Sequence, residues 1–166
     1  MKEETKTKAI RLTDYMLETA RAYIASGQEH TATLFTLMDD GEDYRVIAVI
    51  LTPLPNDRMG KAAIAHAIGE IVEPFDAYVF LTEGWMVQMK FKEEPKGPLS
   101  MHPQRIETFQ LNFVTKFGDQ LMRSWRILRP KGKPAELVHD HDSEIVTEGL
   151  FANFYAFSMG SSQGSH

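Results

Sequence analysis

The sequence predicts an α+β domain: one mixed, mostly antiparallel sheet of about five strands, with helices on one face. Three observations lead there. Two segments carry apolar residues at three- and four-residue spacing, the mark of helices with one buried face. Five segments are extended in character, and four of them fall into two pairs joined by short polar turns. No linker or internal repeat divides the 166 residues, so 1–159 reads as a single domain.

The first helix is expected from Ala9 to Ser26, where Leu12, Met16, Leu17, Ala20, Tyr23 and Ile24 form one stripe. Gly27 stops it in the left-handed region. Thr31 to Met38 reads as a strand, Asp39-Asp40-Gly41-Glu42-Asp43 as a turn, and Tyr44 to Leu51 as the returning strand. Val46 to Leu51 is apolar at every position, which places this strand centrally in the sheet. Pro53 and Pro55 end it, and Asn56 caps a second helix from about Asp57 to Val72. A buried strand begins near Ala77, and Gly84 marks a possible bulge before Trp85 to Met89.

Lys92 to Gln104 carries three prolines and a glycine and reads as a long loop. Ile106 to Lys116 then alternates, with Phe109, Leu111 and Phe113 on one face and Thr108, Gln110 and Asn112 on the other. A turn at Phe117 to Gln120 leads into a second alternating strand, Leu121 to Leu128. His139 to Glu144 is a polar stretch, and Leu150 to Tyr155 has the spacing of a terminal helix. The order is α-β-β-α-β-β-β-α. Gly160 to His166 reads as a linker and the remnant of an expression tag.

Composition narrows the function classes. The absence of cysteine removes disulfides, thiolate metal sites and cysteine nucleophiles, and fits a cytoplasmic protein. A formal net charge of −5 argues against a broad nucleic-acid-binding face, although Arg123, Arg126, Arg129, Lys131 and Lys133 form a local basic group. No apolar run is long enough for a membrane helix. Glycine-rich phosphate loops, G-x-S-x-G and H-E-x-x-H are all missing, and no cofactor is expected.

Two clusters have the residue types for a site. Glu83 and Trp85 leave one strand while His102, Arg105 and Glu107 enter the next; if those strands pair, an arginine, two carboxylates, an imidazole and an indole gather at one sheet edge. The 92–104 loop would border this site as the most mobile internal segment. The plainer reading is a surface ion pair from Arg105 to Glu107 or Glu83. The second cluster is His139, His141 and Asp142, whose imidazole and carboxylate groups suit a transition metal. In a regular strand His139 and His141 share one face, with His30 or His102 available to complete the site. The plainer reading there is a polar surface segment.

The segment Ala77 to Thr108, with Glu83-Gly84-Trp85 ending a strand and Pro103-x-Arg105-x-Glu107 opening the next, resembles a loose group of small uncharacterised phage, plasmid and actinobacterial proteins. The resemblance implies no activity. Ten Phe, nine Met and two Trp, with Trp85, Met86, Met89 and Phe91 in one partly polar segment, predict a soluble, self-associating binding or accessory protein, most simply a dimer. The alternative is a metal-dependent hydrolase built on His139, His141 and Asp142.

Overall fold

The computed structural model describes residues 1–28, 30–87, 96–98, 101–144 and 151–157. The elements run α1 (Glu3–Ala25), β1 (Thr33–Asp39), β2 (Tyr44–Leu51), α2 (Arg58–Val72), β3 (Ala77–Met86), β4 (Ile106–Thr115), β5 (Gln120–Leu128) and β6 (Glu136–Ser143), followed by a 3-10 turn at Phe154–Phe157. The strands form one sheet in the order β2-β1-β3-β4-β5-β6. All five pairings are antiparallel. The α+β class is as expected. The sheet gains a sixth strand because the polar stretch after Glu136 pairs with β5, using backbone groups that its side-chain pattern does not advertise.

The helices lie on both faces, not one. Side chains alternate across a strand, and β3 shows the outcome. Ala77, Val79 and Leu81 join the core under α1. Tyr78 and Phe80 join a second core with Ile68 and Val72 of α2 and Phe154 of the terminal turn. A strand buried on both sides needs cover on both sides. The terminal helix expected at Leu150–Tyr155 is replaced by the shorter 3-10 turn; Leu150 lies outside the described residues.

Local chemistry sets the element ends. Helix α1 starts before its apolar stripe, with Glu3 and Glu4 in the first turn where carboxylates favour the N-terminal dipole. Asp57, one residue beyond the expected Asn56, caps α2 by accepting from the Gly60 N–H at 2.7 Å. Buried bonds pin the terminal turn. The Phe154 N–H donates to Tyr78 Oη at 2.9 Å, and Tyr155 Oη donates to the Phe75 carbonyl at 3.0 Å. Asn112 and Gln120, from the polar face of the second hairpin, both donate to the Ala152 carbonyl.

The position of β2 is the largest departure from expectation. It is an edge strand, not a central one. Val46, Ile47, Val49 and Leu51 are exposed. The doubly buried strand is β3. Both read as apolar runs, and only the pairing order distinguishes them.

Candidate functional site

Register brings part of the first cluster together. Trp85 pairs with Glu107 across β3 and β4. Trp85, Arg105 and Glu107 line an open depression of about 650 Å³ with Arg126 and Arg129. The Arg105 guanidinium lies 5.0 Å from the Trp85 ring centroid, a cation–π contact. Arg129, which sequence reasoning grouped only with a basic turn, grips Glu107 through two bonds of 2.8 and 2.7 Å. Arg126 is occupied by Asp140. The remaining two residues are held elsewhere. Glu83 Oε1 accepts from the His30 N–H at 3.2 Å. His102 folds onto its own turn, its Nδ1 accepting from the Gln104 N–H and its carbonyl from Arg105. Residues 92–95 and 99–100 of the expected loop, with Met89 and Phe91, lie outside the described residues.

The histidine cluster does not converge. A bulge in β6 sets His139 opposite Trp125 and His141 opposite Ser124, with Asp140 as the extra residue. Trp125 belongs to the core under α1, and its neighbour Ser124 faces the other way, so the two imidazoles take opposite faces. His139 Nε2 meets Asp142 at 2.9 Å and His141 Nδ1 meets Asp140 at 2.9 Å. Arg123 also engages Asp142 at 3.3 Å. Burial works to raise the Asp142 carboxyl, but His139 and Arg123 outweigh it and hold the group below its ordinary value. Among the described residues, no group of three His, Asp or Glu side chains is placed to hold a metal.

A third place was not visible in the sequence. An apolar cleft of about 310 Å³ opens between α1 and the β1–β2 hairpin. Leu12, Tyr15 and Met16 form its helix wall, and Phe35, Val46 and Val49 its sheet wall. The three- and four-residue spacing of the α1 stripe supplies the first wall. Val46 and Val49 share a face despite odd spacing because a bulge inserts Ile47 between them. Tyr15 is 76% exposed and Val49 57%, so the stripe runs past the surface the sheet covers.

Among the described residues, His30 brings the one imidazole to this cleft. Its ring packs 4.3 Å from Tyr23 and 5.7 Å from Phe109, centroid to centroid. Burial pushes its pKa below the ordinary 6.5, against a smaller raising effect from the Ala20 backbone. The ring is therefore neutral at pH 7. Its Nε2 is buried with no hydrogen-bond partner among the described residues.

Comparison of the chain with protein-family models, with curated proteins and with solved structures finds no match. Chemistry and shape are then the guides, and they rank the three places. The depression at Trp85 is shallow and two of its arginines are already paired. The histidines diverge. The cleft is concave, apolar and set on rigid elements, as small-molecule sites are.

Proposed function

We propose that this chain is a non-catalytic binding protein that takes a compact apolar molecule, aromatic or branched aliphatic, in the cleft beneath α1. The carrying observation is that cleft: walls of Leu12, Met16, Phe35 and Val49, open to solvent. Water in such a space gains few hydrogen bonds, so an apolar guest that displaces it is favoured. His30, held neutral by its surroundings, adds one polar group without a charge. A neutral imidazole with no carboxylate lining the same cleft among the described residues offers recognition more readily than acid–base chemistry.

The test uses indole as the probe. Bound ligand at about ten times Kd adds about 1.4 kcal/mol of stability. For a domain of this size that raises Tm by about 3–6 °C. Methyl resonances of Met16 and Val49 should shift in the same titration, and Val46→Trp, which fills the cleft from its exposed sheet wall, should abolish both effects. Stabilisation that survives Val46→Trp, or no methyl shift at Met16 at saturating probe, would overturn the assignment.

A further inference from the structure

The two edges of the sheet differ in kind. The β6 edge carries Glu136, Asp140 and Asp142, charged groups of the sort that blunt an edge against pairing. The β2 edge has no such protection beyond Arg45 near its start. Ile47 is 54% exposed and Leu51 67%. One side of β2 pairs with β1, and the other has no strand beside it among the described residues. The bulge at Ile47 interrupts this edge, leaving Ala48 to Leu51 as its regular part.

We propose that two copies of this chain pair antiparallel along β2, about a two-fold axis at Val49 that sets Ala48 opposite Ile50 of the other copy, to form a dimer with one continuous sheet. An antiparallel edge is self-complementary, so each copy offers its partner the donors and acceptors that it needs. Charge selects the orientation. Parallel pairing would bring the acidic turn at Asp40, Glu42 and Asp43 against its own copy, whereas antiparallel pairing sends the two turns to opposite ends. Pro53, just beyond Leu51, limits the paired length. So short a paired segment alone falls short of the roughly 800 Å² per partner of a standard interface. Tyr15 and Val49, both lining the cleft, continue the apolar surface from the edge onto α1. A closed two-fold pair covers both β2 edges and leaves only the charged β6 edges outside, so growth stops at two. The pairing does not depend on the cleft being occupied.

Sedimentation equilibrium at about 10–100 μM protein is expected to give twice the 18.9 kDa chain mass. Leu51→Lys and Ile47→Lys change exposed positions that do not line the cleft; each should weaken the dimer at least about tenfold with the thermal transition of the monomer retained. Val138→Lys, on the β6 edge, should leave the mass unchanged. The chain has no cysteine, so single replacements report orientation cleanly. Val49→Cys lies on the axis, opposite its own copy, and should cross-link under oxidation. Arg45 lies three ladder positions from Val49 because the bulge at Ile47 absorbs one residue, so Arg45→Cys copies would stand about 20 Å apart along the strands, far beyond the roughly 7 Å Cα separation that a disulfide spans. A monomer at the highest concentration would leave the edge to a different chain and overturn the proposal. So would a larger assembly, a dimer indifferent to both lysine variants, or cross-linking through Arg45→Cys instead of Val49→Cys.

Discussion

Replacing Gly69 with Ala tests how firmly the terminal turn is seated on α2. In an unobstructed helix the change should stabilise, because alanine is worth about 1 kcal/mol over glycine. Here the added Cβ would stand 2.7 Å from the Phe154 carbonyl oxygen and 2.8 Å from both the carbonyl carbon and Cβ of Phe157. Two of those atoms are backbone, so no rotamer change clears them. The turn itself is tied by the Phe154 N–H to Tyr78 Oη and by Tyr155 Oη to the Phe75 carbonyl. Moving it away strains buried bonds worth about 1–3 kcal/mol each when one partner is left unsatisfied. Overpacking of this kind costs about 1–3 kcal/mol. The clash should outweigh the propensity gain, for a net loss of about 1–2 kcal/mol. Thermal denaturation would read this directly, with Tm falling by about 2–8 °C. The loss should shrink in a Tyr78→Phe background, where the turn has lost one tether and can yield. Equal or greater stability for Gly69→Ala would refute the packing of the turn against α2.

Two further outcomes follow from side chains that join distant parts of the chain. Arg123 is buried on β5 and donates to Thr13 Oγ1 at 2.9 Å, to Asp14 at 2.7 Å and to Asp142 at 3.3 Å. Arg123→Ala should cost about 2–4 kcal/mol in urea denaturation, and Arg123→Lys should recover little because one ammonium cannot reproduce the forked geometry; a cost within about 0.5 kcal/mol of zero would show the network to be incidental. His30 should make stability depend on pH. Its folded pKa lies below the ordinary 6.5, so its contribution is complete above 6.5 and is lost as pH falls through 6.5 towards the folded value. The stability difference between the native chain and His30→Phe, measured at about pH 8 and about pH 5.5, should therefore move against the native chain at the lower pH; a difference that stays constant would show that the imidazole titrates normally.

Element types and their order were legible because they depend on neighbours within a few residues. The stripe from Leu12 to Ile24 needs a helix to become one face, and Phe109, Leu111 and Phe113 need a strand. Both expected hairpin turns carry glycine where the chain must adopt positive φ, 95° at Gly41 and 93° at Gly118. The same local rules brought Trp85 and Glu107 opposite each other, since strands flanking one loop pair antiparallel.

Whatever depended on the far side of the sheet was decided only by the tertiary structure. Val46–Leu51 and Ala77–Leu81 are equally apolar as strings, yet the first is an exposed edge and the second is buried on both faces. An apolar run records that a strand can be covered, not what covers it. Bulges at Ile47 and Asp140 add one residue each, and with a side-chain period of two that single residue reverses every face assignment beyond it. This is why His139 and His141 part and why Val46 and Val49 meet at the cleft. Partner choice was equally hidden. Glu107 is held by Arg129 and Arg123 reaches Thr13, pairs 22 and 110 residues apart. Charge and spacing define what such groups can bond, but the pairing order of the strands determines which of them come within reach.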